Sequence, residues 1–387
     1  MPLLRETVLI VGAGLHGCAI ALFLARAGAK VVVIEKNTAG RHASGVNAGG
    51  LRTLMRDVRE YPLSQRAMAL WGSLEDVVGS DGARAAEVRL GAGQVAVAFD
   101  EAEIAWAEAR SKDVRKRGLG DEELLSADDV RRLLPGISAT VLGGLIVRGD
   151  GHANPAGAMG AFRDAAKRAG VTIVENSRVL GLDRARGGGW KAETTSGVFE
   201  GGILINCAGA WGRNVAALVD EDLPLAVAAL SMMVTIRVQP FVTPVVVGID
   251  RTLSFKQSAA GSLVIGGGIF GNACTDRDTS FTIMDRMAQS AAATVAAFPA
   301  LEEIPILRTW TGLEGLTPDG VPIIGPGVRH PDLWHVFGFC GHGFQLAPAV
   351  GEAVMRSLAE GQTSNLLAPF SPQRFTASSV RRSKGAA

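Results

Sequence analysis

One tyrosine, Tyr61, stands among 387 residues that include 49 glycines, so no pocket walled by several phenols can be assembled. Cysteine is almost as scarce. Cys18, Cys207, Cys274 and Cys340 lie far apart with no CxxC pair and no histidine cluster beside them. That spacing excludes a disulfide framework and offers no metal site. An excess of one charge is missing too: 39 basic against 38 acidic side chains leave +1, too little field to draw nucleic acid or an anionic membrane surface. Long apolar runs are absent. The stretch from Val8 to Ile34 is interrupted by Gly12, Gly14, Gly17 and Gly28 and contains Arg26 and Lys30, with no small-residue cleavage site after it. The stretch from Leu225 to Ile236 is too short for a bilayer of ~30 Å. A soluble, cytoplasmic chain without an integral membrane segment is expected. With 47% hydrophobic and 20% charged residues, disorder is excluded, and the length allows two or three domains.

What is present begins with a βαβ unit. Thr7 to Val11 reads as a strand, Leu15 to Ala27 carries helical periodicity closed by Gly28, and Lys30 to Glu35 is a second strand of β-branched residues. Further helices are expected over Tyr61 to Val78, Glu101 to Lys116, from Asn154-Pro155 to Arg168, and from Gly343 to Glu360, with a capping box at Ser126 to Asp129. Val171 to Glu175, Met232 to Val238 and Leu263 to Ile265 read as strands, the last two fitting a second, antiparallel sheet. Gly187-Gly188-Gly189 marks a turn, and Arg381 to Lys384 reads as a solvated end. No fixed-period repeat is present. The expected architecture is α/β: a Rossmann-like dinucleotide domain from 1–60, 142–222 and 312–387, interleaved with an antiparallel-sheet substrate domain from 61–141 and 223–311.

The glycine loop Gly12-Ala-Gly14-Leu15-His16-Gly17 lies between strand and helix. Its first glycine allows a tight turn, the second lets backbone N–H groups approach a pyrophosphate, and the third lets helix and strand pack closely. Glu35, 18 residues after Gly17, can bond a ribose hydroxyl pair and would repel a 2′-phosphate, so the ADP of NAD or FAD is expected. Three further signals separate these. Ser44, Asn47, Ala48, Gly49, Gly50, Leu51 and Arg52 suit backbone running under a flat ring. An apolar strand ends in Asn206-Cys207-Ala208-Gly209-Ala210-Trp211. The turn Gly338 to Gln345 opens a helix whose N-terminus would favour negative charge on a flavin.

On these residues, together with Arg59 to Leu63, Asp150-Gly151, Val179, Thr317 to Gly325 and Gly341-His342-Gly343-Phe344, the chain resembles the D-amino acid oxidase superfamily of FAD-dependent amine oxidoreductases. It is most similar to the sarcosine oxidase group and to opine and D-hydroxyproline dehydrogenase β subunits. The resemblance implies extended FAD, touched by Lys36 beside Glu35, by Val179 at the adenine, and by Cys207, Ala208, Gly209, Trp211 and Gly341 to Gln345. It implies oxidation of a C–N bond next to a carboxylate by hydride transfer to the flavin, giving an imine that hydrolyses. The substrate class implied is a secondary-amine amino acid of the sarcosine, opine or D-hydroxyproline type, handled by a chain that works alone or with a second subunit carrying another redox centre. A stand-alone D-amino acid or glycine oxidase is the alternative within the family, and an NAD-dependent dehydrogenase the alternative outside it.

The departures concern the substrate. Gln345 stands where monomeric sarcosine oxidases have a substrate-holding lysine, and Glu314 where glycine-oxidase-like relatives have a carboxylate-binding arginine. Gly312 stands near the flavin-bearing cysteine of the former, so FAD is expected to be noncovalent. Glu314 could pair with a cationic amine or guanidinium, against the reading that it is salt-bridged near the domain junction. Arg52 is a candidate carboxylate ligand or an ion pair holding its loop; Arg56, one turn on, is a weaker candidate for the same role, and the solvated surface is the favoured reading for it. His342 is either beside the substrate or a buried, hydrogen-bonded residue shaping its turn. Gln345 is expected to reach flavin or substrate, or to cap its helix. A structural role is favoured for His16, a buried position for Cys340, core positions for Trp310 and Phe255, and outward exposure for Lys256.

Overall fold

The computed structural model describes residues 6–375 apart from 121 and 267; the Arg381 to Lys384 stretch lies outside the described residues. Strand β1 (Val8–Val11), helix α1 (Leu15–Arg26) and strand β2 (Val31–Ile34) form the opening unit. They sit in a six-stranded sheet ordered Ile323–Pro326, Leu333–Phe337, Ile203–Asn206, β1, β2, Thr172–Val174. Neighbouring strands run parallel except the antiparallel edge Ile323–Pro326.

Both faces of this sheet are covered, so its strands are apolar throughout. Successive side chains point to opposite faces. Val8 and Ile10 join the core formed with α1 and the helices Pro155–Arg168 and Gly343–Glu360. Leu9 and Val11 face Leu182, Trp190 and Ala192 of the small antiparallel sheet of residues 179–201. Gly17 sets the approach of α1 to β1: a Cβ there would lie 2.0 Å from the carbonyl oxygen of Gly12.

The second sheet is larger and mostly antiparallel. Its central strand Ala226–Arg237 pairs with Ile306–Leu316 on one side and with Ser262–Gly266 and Phe270–Cys274 on the other. It continues through Ser254–Gln257, Val245–Gly248, Gln94–Ala98, Gly143–Val147 and Glu123–Ser126. One face carries a core of Met233, Val246, Phe255, Leu263 and Ile265 closed by the helix Met284–Ala297. The alternate residues Met232, Val245, Val247, Lys256 and Val264 line a cavity on the other face.

The structure bears out the helices Glu101–Lys116, Pro155–Arg168 and Gly343–Glu360 and the capping box at Ser126. Two elements differ. The helix expected from Tyr61 to Val78 breaks at Ser73, whose backbone (φ −114, ψ 37) leaves the helical region, giving Tyr61–Gly72 and Leu74–Val78. The strand expected from Met232 begins at Ala226, because Ile306–Leu316 pairs along almost its whole length. Among the described residues no helix is long and apolar enough to cross a membrane, and no cluster of three His, Cys, Asp or Glu side chains could hold a metal.

Candidate active site

A cavity of about 740 Å³ runs from the glycine loop to the second sheet, within the range of small-molecule and cofactor sites. At one end, Gly12 (φ +107) turns the chain so tightly against the next strand that a Cβ would lie 2.4 Å from the carbonyl oxygen of Cys207. The N-cap of α1 is Gly14, which offers no side-chain acceptor. The Leu15 N–H donates to Ser44 Oγ at 2.9 Å, and the following first-turn N–H groups have no partner within the helix, which suits an anion.

Glu35 is buried and lines this end. Its two oxygens accept from the Ala13 N–H at 2.8 Å and the Asn37 N–H at 2.9 Å. Burial pushes the carboxyl up against those bonds. Each oxygen keeps a second lone pair for a hydroxyl donor. Lys36 places Nζ over the Trp211 ring, 3.0 Å from its centre, and 2.5 Å from Asp278 Oδ1. Asp278 comes from the turn before the strand Thr279–Phe281 and also accepts from Arg178 Nη2 at 2.8 Å. The second sheet thus reaches across to the dinucleotide end of the cavity.

In the middle, the glycines leave room for a planar group. A Cβ on Gly50, Gly209 or Gly341 would meet nothing within 4 Å, and all three line the cavity. His16 stacks on Phe339 with ring centres 3.7 Å apart, and burial lowers its pKa to about 3, so its ring is neutral. These features fit a bound FAD: a polar pocket for ribose hydroxyls, helix N–H groups for pyrophosphate, and open glycine faces for a flat ring.

Of the residues expected to touch cofactor, Gly12, Gly14, Leu15, His16, Glu35, Lys36, Ser44, Asn47, Ala48, Gly49, Gly50, Val179, Cys207, Ala208, Gly209, Trp211, Gly341, His342, Gly343 and Phe344 all line the cavity. Gly17, Leu51 and Gln345 do not. Gly17 faces Gly12, and Leu51 is sealed in the core beside the helix Gly343–Glu360. Gln345 is fully buried with its side chain turned away from the cavity: Nε2 donates to the Ser64 carbonyl at 2.8 Å, and Oε1 accepts from Arg56 Nη2 at 3.2 Å. The expectation that Gln345 reaches flavin or substrate is therefore corrected; its amide serves a buried arginine instead.

That arginine is a second correction. Arg56 was expected in solvent but is 1% exposed, and burial lowers its pKa to about 9. Its Nη1 lies 3.9 Å from Glu60, and Glu60 lies 3.0 Å from His342 Nδ1. Burial, then the charge of Arg56, lowers the His342 pKa to about 4, so this imidazole is neutral above that pH. His342 lines the cavity and stands at the N-cap of the helix Gly343–Glu360.

Arg52 lines the cavity, and its Nη1 donates to the Leu54 carbonyl at 2.9 Å. The loop carrying it is held by buried Asp150, which accepts from the Thr53 and Leu54 N–H groups and from Thr53 Oγ1, all within 2.9 Å. Sequence reasoning gave Asp150 no such role.

Lys256 is the third correction. It is 8% exposed, with Nζ donating to the Ala153 carbonyl at 2.9 Å, and burial lowers its pKa to about 8. Strand periodicity places it opposite Phe255, which stacks edge-on against Phe298 in the core; solvent was the wrong assumption for the other face. Trp310 is held by a bond from Nε1 to the Val46 carbonyl at 2.8 Å.

Among the described residues Glu314 has no salt-bridge partner. Its Oε1 accepts the Gly341 N–H at 2.6 Å, and burial pushes the carboxyl up to about 7. The cavity is therefore lined by the cations Arg52 and Lys256, by the carboxyl of Glu314, and by the apolar side chains of Met232, Val245, Val247 and Val264.

Comparison with known proteins agrees with this geometry. Residues 7–356 match the family model described as DAO, FAD dependent oxidoreductase. The chain is 31% identical to the beta subunit of sarcosine oxidase from Rhizobium meliloti, across 95% of this chain and 88% of that one. It is 27% identical to an opine oxidase subunit from Agrobacterium tumefaciens, across 95% and 97%. The fold is that of L-proline dehydrogenase from P. horikoshii, with a TM-score of 0.87 at 24% identity, covering 95% of this chain and 97% of that one. Glycine oxidase from Geobacillus kaustophilus shares it, with a TM-score of 0.85 at 22% identity over 96% and 99%.

Proposed function

We propose that this chain, which belongs to the family of FAD-dependent oxidoreductases, oxidises the C–N bond of an amino acid whose nitrogen is a secondary amine. One observation carries the reading. The cavity that fits FAD is lined both by the cations Arg52 and Lys256 and by Glu314, a carboxyl with no cation bonded to it among the described residues. A substrate carboxylate would sit against the cations, its amine against Glu314, and its N-substituent on the apolar side chains.

The bound FAD supplies the two-electron acceptor. The cavity-lining glycine loop, Glu35, Lys36, Ser44, Val179, Cys207 to Gly209, Trp211 and Gly341 to Phe344 would hold it noncovalently. Asp150 keeps Arg52 in place, and His342, backed by Glu60, borders the reacting end. The apolar side chains exclude water from the carbon that is oxidised. The dinucleotide role falls mainly to 1–60, 142–222 and 312–387 and the substrate role mainly to 61–141 and 223–311, with Arg52 and Glu314 contributed to the substrate end by the first set and Gly143–Val147 paired into the second sheet. A nicotinamide cofactor is set aside, since the family is FAD-dependent.

Two of the relatives are subunits by name, one of a sarcosine oxidase and one of an opine oxidase. They support a chain that works beside a second protein chain.

The test is anaerobic titration of the FAD-loaded chain with sarcosine, D- and L-proline, D-hydroxyproline, octopine, nopaline and D-alanine, following flavin absorbance. Bleaching by the secondary amines and not by D-alanine is expected. Bleaching by D-alanine alone would instead establish a primary-amine oxidase, and no bleaching with full FAD would reject the lone chain as a competent enzyme.

A further inference from the structure

Two carboxyls line the cavity, and they are treated differently. Glu35 has a backbone N–H on each oxygen. Glu314 has one, the Gly341 N–H on Oε1, which leaves Oε2 for a partner in the cavity. The elements packed on its strand Ile306–Leu316 are the strands Ala226–Arg237 and Thr279–Phe281, the helix Ala43–Val46 and the turn Gly209–Trp211. Among the described residues these carry one charged side chain, Arg237. Arg237 is nine positions along its strand from Ala228, the residue paired with Glu314, or about 30 Å away. The Gly338 to Gly343 turn adds to the cavity lining Cys340, a thiol that burial holds protonated, and the neutral His342. An unpaired carboxyl lining the cavity has no structural partner among the described residues to explain it.

We propose that Glu314 accepts the proton of the substrate's ammonium group inside the site; this rests on the reading of the cavity as an amino acid site. In neutral water an alkylamine is protonated, and its nitrogen has no lone pair to assist oxidation of the neighbouring carbon. On binding, an N–H bond breaks, its electron pair stays on nitrogen, and the proton forms an O–H bond at Oε2 of Glu314. FAD held by the cavity-lining residues would supply the acceptor for the electron pair and hydrogen of the adjacent C–H bond, and the freed nitrogen lone pair then leaves the substrate as an iminium ion. That positive charge replaces the one passed to Glu314. The Gly341 N–H holds the acceptor oxygen in place without neutralising it, and burial brings its proton affinity near neutrality.

The test uses the FAD-loaded chain and two ligands that cannot be oxidised beside nitrogen. One is 2-methylalanine, whose α-carbon carries no hydrogen; the other is its amine-free analogue, 2-methylpropanoate. Binding is followed by the flavin absorbance shift, and protonation by the infrared carbonyl stretch of a carboxylic acid, at about pH 8.5, where a free amine is protonated and Glu314 ionised. The carboxylic-acid band should appear with 2-methylalanine, not with 2-methylpropanoate, and should vanish in Glu314→Gln, whose amide oxygen still accepts the Gly341 N–H. In Glu314→Asp the band should move in frequency, which identifies its source if the Gln variant does not fold. Binding of 2-methylalanine without the band, or an unchanged band in both variants, would overturn the proposal. Binding of 2-methylpropanoate alone would overturn it too while sparing the carboxylate end of the site. Binding of neither would reject the amino acid reading itself.

Discussion

Lys256 should make the protein less stable than a methionine in its place, and by an amount that depends on pH. Its ammonium is buried, with one hydrogen bond to the Ala153 carbonyl. Burial lowers its pKa from 10.5 to about 8. A lysine whose folded pKa is depressed costs stability wherever the unfolded chain would carry the proton more readily. The cost is fully present below about pH 8 and disappears as pH rises toward 10.5. At 1.36 kcal/mol per pKa unit it amounts to about 3 kcal/mol at neutral pH and about 1 kcal/mol near pH 9.5. Methionine keeps the apolar stem and its contacts. The lost hydrogen bond offsets about 1 kcal/mol. Lys256→Met should therefore gain about 2 kcal/mol near pH 7, a Tm rise of a few degrees, and almost nothing near pH 9.5. Thermal unfolding of the FAD-loaded pair at the two pH values reads both numbers. A variant that is less stable at pH 7, or a gap that does not close with pH, would refute the reasoning. Binding of carboxylate ligands should weaken in the same variant, the usual trade between a strained site and a stable one.

Gly12→Ala would bring a Cβ to 2.4 Å from the Cys207 carbonyl in a backbone with φ +107. Left-handed strain of about 1–2 kcal/mol adds to that clash. The variant should purify without yellow flavin and with a lowered Tm, and full FAD occupancy would contradict the packing described. Asp278→Asn removes the carboxylate shared by Lys36 and Arg178. Two partly buried pairs at up to about 1 kcal/mol each predict FAD release about tenfold faster at low salt. High salt should narrow the difference by screening the wild-type pairs; an unchanged release rate at low salt would show that the link across the cavity does not retain the cofactor.

Much of this architecture could be read from short stretches of chain, and the reason is local. β1, α1 and β2 are contiguous, and their periodicity, glycine turn and terminal acid lie within some thirty residues. Asn154 caps the helix opened by Pro155, its side chain accepting the Gly157 N–H at 3.2 Å. Such signals act over one helical turn and need no distant partner. The break at Ser73 was less legible, because apolar periodicity runs on through it and only packing decides where the helix stops.

The cavity's charges are different in kind. Arg56 looks like a surface arginine until Gln345, 289 positions away, meets its guanidinium. Gln345 looks like a site residue until Ser64 and Arg56 turn its amide aside. Lys256 alternates with core residues as a solvent-facing lysine does, but the first sheet's loops close over that face and its ammonium bonds Ala153. Glu314 has a cavity where a cation was expected. From sequence alone, then, came the strand-loop-helix units and the dinucleotide end of the cofactor, because those depend on neighbours along the chain, whereas FAD itself followed from a resemblance that joins motifs far apart in the chain. The tertiary structure decided which charges are buried, paired or left unpartnered, because burial and pairing depend on segments that meet only when the two sheets close around one cavity.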